Sequence, residues 1–212
     1  MIFKANEKIV FAGDSITDDG RQPAGEGLWG ELGNGYVKLI DSFFTAEMPE
    51  MNLRIVNRGN SGNTSRDLLA RWDTDITAID PDWVVLLIGA NDIWRQFDSP
   101  TRPEASVSPE EYRKNLNAIA DKTKANMIWM TPYFLEPNEK DLMRARTDEY
   151  RAIFREVAKE RGFLCIDLQE AFARYLSVRH SCSITWDRVH PGRIGSVIIA
   201  RAFFKAVGFR LD

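Results

Sequence analysis

The segment Gly13-Asp14-Ser15 ends an apolar run, Ile9 to Ala12, and would deliver a serine hydroxyl at the end of a strand. A serine becomes a nucleophile when a base lies beside it and proton donors hold the oxyanion that its attack creates. In an open α/β sheet, ligands bind at the carboxyl ends of the strands. The pattern therefore predicts an active site at this serine, for which other segments must supply the base and the donors.

The chain has two histidines, and one of them suits the role of base. Asp187 lies three residues before His190, so a turn would let its carboxylate accept the Nδ1 proton and leave Nε2 to face Ser15. Pro191 would begin the last helix and keep this turn rigid. His180 has no such acidic partner and is predicted to be a surface residue.

Two further polar turns, 59–63 and 89–92, follow the next two predicted strands. In a parallel sheet these turns lie on the same edge as Ser15. The Ser15 N–H at the start of a helical turn, the unobstructed N–H of Gly59 and the side-chain amide of Asn91 are three candidate donors. Together they predict an oxyanion hole.

Strands and helices alternate along the chain in a way that would position these residues. The periodicity predicts strands at 9–12, 53–57, 83–88, 127–130 and 163–166, and helices at 35–48, 64–79, 109–125, 141–161, 168–176 and 192–207. Loops are expected at 20–35, which is rich in glycine, and at 93–107, which contains two prolines. The alternation predicts an α/β fold of three layers with a mostly parallel five-stranded sheet, in a single domain of residues 1–212.

Composition excludes several classes of function. The 212-residue chain has a net charge of -3, which gives no reason to expect nucleic acid or an anionic membrane as a partner. No apolar stretch is long enough for a signal peptide or a membrane span, which predicts a cytoplasmic protein. Two cysteines do not make a disulfide framework, and no cluster has metal-ligand spacing. Neither the dinucleotide fingerprint nor the P-loop occurs, so no cofactor is expected; the GxSxG elbow of standard α/β-hydrolases is also missing.

The four segments, taken in order, resemble the four blocks of the SGNH (GDSL-type) hydrolases. The segments are 13–15, 59–64, 89–92 and 187–191, and the resemblance covers almost the whole chain. It implies a flavodoxin-like α/β/α fold and an esterase in which Ser15 is the nucleophile, His190 the base and Asp187 the residue that orients the base. It also implies that Ser15, Gly59 and Asn91 form the oxyanion hole.

A finer resemblance concerns the substrate. The stretches 57–64, 91–97 and 131–136 look like bacterial acetylxylan esterases of this superfamily, although Asn60 stands where those relatives would have an apolar residue. The resemblance implies a small-molecule ester substrate, an acetylated xylo-oligosaccharide, and a homo-oligomer that acts inside the cell.

Several side chains near these segments are candidates for binding the sugar, because aromatic faces suit sugar rings and polar groups suit hydroxyls. The predicted substrate-binding residues are Asp14, Asn63, Trp94, Arg95, Tyr133 and Trp186. Whether Arg95 bonds substrate hydroxyls or pairs with Asp92 is open. No long apolar segment suggests a lid over a fatty acyl chain.

Three other functions compete with this interpretation. The same machinery could act on another acetylated sugar, or as a short-chain thioesterase or a lysophospholipase-type SGNH hydrolase. A non-catalytic carbohydrate-binding protein on the same fold would not need the intact set of Ser15, Asp187 and His190. A flavodoxin-like electron carrier would leave Asp187 and His190 unexplained.

Overall fold

The computed structural model describes residues 1–22 and 30–210. A five-stranded sheet lies at its centre, in the order β2-β1-β3-β4-β5. The strands are β1 (Lys8–Gly13), β2 (Arg54–Gly59), β3 (Trp83–Leu87), β4 (Asn126–Met130) and β5 (Leu164–Ile166). Every pairing between them is parallel, so the predicted mostly parallel five-stranded sheet is confirmed. This strand order is that of flavodoxin-like folds.

Helices connect the strands. They are α1 (Ser15–Asp18), α2 (Tyr36–Glu47), α3 (Ser65–Ala70), α4 (Trp72–Asp75), α5 (Ala90–Asp98), α6 (Pro109–Lys122), α7 (Leu142–Glu160), α8 (Leu168–Leu176) and α9 (Gly192–Val207). Short 3₁₀ turns occur at Pro49–Met51, Thr77–Ile79, Pro103–Ala105 and Ser181–Ser183. Within the described ranges, no helix combines the length and the apolar character needed to cross a membrane.

The helices cover both faces of the sheet and create two hydrophobic cores. On β1, Phe11 enters the core shared with α2, α8 and α9, whereas Val10 enters the core shared with α3, α4, α6 and α7. The Phe11 ring lies 5.6 Å from that of Phe203 on α9, and on the opposite face Trp129 lies 4.7 Å from Phe154 on α7. Burial on both faces explains why the strands are continuous apolar runs, and it confirms the three-layer architecture.

Two predicted elements are wrong. The loop expected over 93–107 begins as helix, because α5 starts directly after Gly89 and buries Ile93; the prolines follow this helix rather than prevent it. The helix expected over 64–79 is divided into α3, α4 and a 3₁₀ turn. The break lies at Arg71, whose guanidinium donates hydrogen bonds to the carbonyls of Gly13 and Arg58 at the sheet edge. Part of the predicted loop 20–35, residues 23–29, lies outside the described residues.

The end of β2 packs directly against α1. Gly13 and Gly59 are partners in the sheet register, and a Cβ on Gly59 would lie 2.2 Å from the Asp18 nitrogen. The Asn57 side chain donates to the Thr17 carbonyl at 2.6 Å and fixes α1 on this strand end. The helix that carries Ser15 is therefore held against the backbone of the neighbouring strand.

This contact makes Gly59 important for stability. In Gly59→Ala the added methyl must displace backbone, so the free energy of unfolding should fall by about 1–3 kcal/mol or more. Gly162→Ala is the matched control, since Gly162 has a φ of +71° but nothing within 4 Å of a Cβ, and its left-handed conformation alone should cost about 1 kcal/mol. Urea denaturation measures both, and a smaller loss at Gly59 than at Gly162 would contradict the packing described here.

Candidate active site

Ser15 lies at the carboxyl end of β1, as the first residue of α1. Asp14 caps this helix, and its Oδ1 accepts the Ile16 N–H at 3.0 Å. The Ser15 Oγ lies 2.7 Å from Nε2 of His190, although 175 residues separate them in the sequence. The structure therefore brings together the hydroxyl and the imidazole that the sequence predicts as partners.

Asp187 and His190 are joined within one turn. Oδ2 of Asp187 lies 2.5 Å from Nδ1 of His190. Oδ1 of the same carboxylate accepts the backbone N–H groups of Val189 at 2.9 Å and His190 at 2.8 Å, and the Thr185 hydroxyl at 2.9 Å. The carboxylate thus shapes the turn and orients the imidazole at the same time.

These hydrogen bonds also fix the proton positions. Burial acts to raise the pKa of Asp187, but the hydrogen bonds from His190, Val189 and Thr185 together outweigh it and lower the pKa. An ionised carboxylate only accepts hydrogen bonds, so Nδ1 of His190 carries a proton and Nε2 can accept one from Ser15. This is the arrangement in which a serine hydroxyl is activated for attack on a carbonyl.

Asn91 lies at the start of α5, at the end of β3, as the sequence predicts. Its Nδ2 donates to the Asn63 carbonyl at 3.0 Å, which leaves the second amide proton for another acceptor. Arg95, one turn later, donates to Asn91 Oδ1 at 3.4 Å. The amide is held from both sides, so its direction is fixed.

A buried network that the sequence analysis missed anchors the same helix end. Asp92 accepts the Ser65 N–H at 2.9 Å and the Ser65 hydroxyl at 2.5 Å, and Asn115 donates to that hydroxyl at 3.0 Å. Burial raises the pKa of Asp92 to about 7, against the opposing effect of the hydrogen bonds from Ser65. The sequence shows that Asp92 follows Asn91 and so lies near the site, but only the fold identifies Ser65 as its partner.

The expectation for Gly59 requires a correction. Its N–H already donates to Asn57 Oδ1 at 2.8 Å, and the residue is buried against α1, so this amide is not free to hold an oxyanion. Gly62, three residues later, is exposed and has a φ of +83°. Its N–H makes no hydrogen bond to any residue of 1–22 or 30–210. The neighbouring Ser61 fastens this turn to α1 by donating its hydroxyl to Asp18 at 2.5 Å.

An open cleft of about 690 Å³ lies beside Ser15 and His190. Its wall is formed by Ser15, Ile16, Asp19, the segment 182–186, the segment 190–194 and Ser196. Trp186 is 86% exposed, and its ring is parallel to that of His190 at 6.5 Å. Trp94 is half-buried and contacts the same imidazole at a tilt of 57°, with ring centres 5.7 Å apart. Both tryptophans are thus at the site, but only Trp186 lines the cleft.

Two predicted substrate-binding residues are buried away from the cleft. Tyr133 is 2% exposed and packs on Phe172 at 4.7 Å, so its ring is part of the core. Asp14 is fully buried, and its Oδ2 has no hydrogen-bond partner among the described residues. Burial raises the pKa of Asp14 to about 6, while the hydrogen bond from Ile16 and the charge of His190 act to lower it. The predictions for Tyr133 and Asp14 are therefore wrong.

Asn63 and Arg95 are half-buried and are not part of the cleft wall described above. Oδ1 of Asn63 accepts a hydrogen bond from Nε of Arg71 at 2.7 Å, and the backbone carbonyl of Asn63 accepts one from Asn91. Arg95 forms its ion pair with Asp98, not with Asp92. Both residues contact Asn91, and their role in binding substrate stays a prediction.

Two charged residues of the cleft were not singled out from the sequence. Asp19 lines the wall next to Ser15, and Arg193 lines it at the start of α9. Burial raises the pKa of Asp19, although the charge of His190 has the opposite, smaller effect on that pKa. Asp19 lies only four residues after Ser15, so the sequence could have placed it near the site. Arg193 is distant from Ser15 in the sequence and reaches the cleft only through the packing of α9.

The remaining predictions concern His180 and metals. Nδ1 of His180 accepts the Cys182 N–H at 3.1 Å, and the exposed side chain caps the turn Ser181–Ser183 without being part of the cleft wall itself. Within the described part of the chain, no group of three or more histidine, cysteine or acidic residues could hold a metal ion.

Comparison with known proteins gives a family and a close relative. The model of the GDSL-like lipase/acylhydrolase family matches residues 11–197. The acetylxylan esterase of Geobacillus stearothermophilus is 45% identical over 209 residues, which cover 97% of this chain and 95% of the esterase.

Solved structures agree with this result. LAE5, an α/β hydrolase enzyme from the metagenome of Lake Arreo, Spain, superimposes with a TM-score of 0.94 at 49% identity, covering 98% of both chains. Axe2, an acetylxylan esterase from Geobacillus stearothermophilus, gives a TM-score of 0.97 at 43% identity, covering 99% of this chain and 98% of its own. Catalytic mutants of Axe2 among these structures replace one serine, one aspartate or one histidine by alanine.

The buried carboxyl of Asp14 predicts a specific dependence of stability on pH. Its pKa is raised from 3.8 to about 6 in the folded protein, so ionisation opposes folding. As pH rises from about 4 to 6, the wild type should lose up to about 3 kcal/mol of unfolding free energy relative to Asp14→Asn, and the difference should stay constant above that range. Urea denaturation at a series of pH values measures this; a difference that does not change with pH would contradict it.

Proposed function

Because the chain belongs to the GDSL-like lipase/acylhydrolase family and is a carboxylic ester hydrolase, we propose that it removes acetyl groups from acetylated xylo-oligosaccharides through an acyl-enzyme on Ser15. The resemblance to SGNH hydrolases and acetylxylan esterases that the sequence predicts is confirmed by the family match and the Geobacillus relative. The proposal assigns the individual roles to residues of this chain.

The observation that carries the proposal is the continuous series of contacts from Asp187 through His190 to Ser15, with distances of 2.5 and 2.7 Å. His190 accepts the Ser15 proton while Oγ attacks the ester carbonyl, and Asp187 stabilises the imidazolium that forms. The imidazolium then protonates the departing sugar hydroxyl. Water attacks the acetyl-serine in the same way, which releases acetate and restores the serine.

The developing oxyanion needs donors that are not already engaged. We assign this role to the Ser15 N–H, the second amide proton of Asn91 and the N–H of Gly62, which replaces Gly59. Two observations support this choice. The Gly59 N–H is engaged with Asn57, whereas the Gly62 N–H has no partner among the described residues. Gly62 also lies in the turn that Ser61 fastens to α1. Asn63 and Arg95 keep the Asn91 amide in place.

The cleft suits a small acyl group on a polar alcohol. The exposed face of Trp186 offers a surface on which a sugar ring can stack, and Asp19 and Arg193 can bond hydroxyls. A cleft with charged groups on its wall is a poor receptor for a fatty acyl chain, because burying a charge against apolar chain is costly. This favours the acetylated sugar over a lysophospholipid.

The proposal extends to the assembly and location of the protein. We expect a single domain of residues 1–212 that forms a homo-oligomer in the cytoplasm. Val197 is 54% exposed on α9, outside the cleft wall, which leaves apolar surface available for a second copy. Size-exclusion chromatography with light scattering tests the oligomeric state. Cys165 and Cys182 are unpaired, which is typical of a reducing compartment.

Acetate release from a panel of acetylated sugars tests the function. The wild type should release acetate from acetylated xylo-oligosaccharides and should hydrolyse p-nitrophenyl acetate much faster than the octanoate. His190→Ala should lose about 10⁴-fold or more in kcat, because the serine loses its base. His180→Ala is the matched control and should keep the wild-type rate. Equal losses in the two histidine variants would contradict the assigned roles.

Trp186 gives a test of sugar recognition. Trp186→Ala should raise KM for an acetylated xylo-oligosaccharide about tenfold, the equivalent of ~1.4 kcal/mol, since the stacking surface is lost. The value of kcat, and KM for p-nitrophenyl acetate, should change less. Val178→Ala, at another highly exposed apolar residue, is the control. Equal changes in KM for both substrates would argue against a role in binding the sugar.

A further inference from the structure

Arg188 lies in the turn between Asp187 and His190 and has an unusual backbone. Its φ is +65°, in the left-handed region that side chains other than glycine and asparagine seldom adopt. A residue is kept in this region only when its surroundings hold it there. The contacts of Arg188 are therefore of interest, because the same turn carries both partners of Ser15.

The backbone of Arg188 is bonded on both sides of the turn. Its N–H donates to the Thr185 hydroxyl at 2.9 Å, and its carbonyl accepts the Leu135 N–H at 2.8 Å. The first bond is internal to the turn. The second joins the turn to the segment between β4 and α7, residues 131–141, which is far away in the sequence.

The side chain of Arg188 reinforces this connection. Nη1 lies 2.9 Å from Oε2 of Glu136 and 3.3 Å from Oδ2 of Asp141. The guanidinium carbon lies 5.0 Å from the centre of the Phe134 ring, within the range of cation–π attraction. Two carboxylates and one aromatic ring thus hold a side chain that is not part of the cleft wall.

The segment that receives Arg188 is itself fixed. The Phe134 N–H donates to Gln169 on α8 at 2.8 Å, and Arg144 on α7 donates to the Glu136 carbonyl at 2.6 Å. Asp141 caps α7 through the N–H groups of Met143 and Arg144. The turn is therefore bonded to a rigid support, rather than to a free loop.

We infer that Arg188 is a positioning residue, which holds the turn of Asp187 and His190 on the segment 131–141 so that the imidazole remains within reach of Ser15. The inference rests on the proposed function. A displacement of about 1 Å in a catalytic group can cost 10²-fold in rate. Loss of this support should therefore lower kcat and leave KM nearly unchanged, because Arg188 does not touch the cleft.

The experiment compares variants of the full chain on p-nitrophenyl acetate. Arg188→Ala should lower kcat by about 10²-fold, and Arg188→Lys should restore most of that loss by keeping the charge. Arg188→Gly relieves the backbone but removes the side-chain contacts, so it should resemble the alanine variant. Arg146→Ala, which removes a surface arginine paired with Glu149, is the matched control and should keep the wild-type rate.

Two further measurements separate positioning from stability. The far-downfield proton NMR signal of the Asp187–His190 hydrogen bond should weaken in Arg188→Ala and persist in Arg188→Lys and Arg146→Ala. Glu136→Gln should give a smaller loss of kcat, since Asp141 remains, and its effect should not add to that of Arg188→Ala. If Arg188→Ala does not fold, the losses of kcat in Glu136→Gln and Arg188→Lys, measured against Arg146→Ala, still test the inference.

Several outcomes would overturn the inference. One is a kcat of Arg188→Ala within about twofold of the wild type, because a displaced catalytic group should cost about 10²-fold. Full activity in Arg188→Gly would show that only backbone strain had mattered. A lower unfolding free energy with an unchanged NMR signal would indicate a purely structural role. Failure of the wild type to hydrolyse any ester would refute the proposed function instead, and the NMR comparison would still report on the turn.

Discussion

The carboxylate of Asp187 accepts hydrogen bonds from Thr185, Val189 and two nitrogens of His190. Three of them close the turn, and the fourth orients the imidazole. One charged group thus couples the conformation of the backbone to the protonation of the His190 imidazole. Because these bonds outweigh the effect of burial on its pKa, the carboxylate stays ionised in a site that is partly closed to water.

The parallel sheet provides the other half of the site. β1, β2 and β3 end at adjacent register positions, so the turns after them meet at one edge. Glycines allow the backbones to come close there: at Gly13, a Cβ would lie 2.4 Å from the carbonyl oxygen of Leu87 on β3. The ends of β1 and β3 are therefore closely packed beside Ser15.

Part of this could be predicted from the sequence because the signals are local. Burial on both sheet faces requires continuous apolar strands, and these strands alternate with helical patterns, which gives the three-layer fold and the parallel sheet. Ser15, Asn91, Asp187 and His190 follow strand ends or lie within one turn. The spacing of three residues between Asp187 and His190 is enough to predict their hydrogen bond.

Only the tertiary structure decided which neighbours of these residues face the cleft. Asp14 and Tyr133 resemble ligand-binding residues by position, yet packing buries both, and Asn57 occupies the amide of Gly59 that looked free. The contacts of Arg188 with Leu135, Glu136 and Asp141 also join segments 131–141 and 185–190, which meet only after folding. Local pattern determines secondary structure and short-range bonds, whereas solvent access and unsatisfied donors depend on every element that packs around a residue.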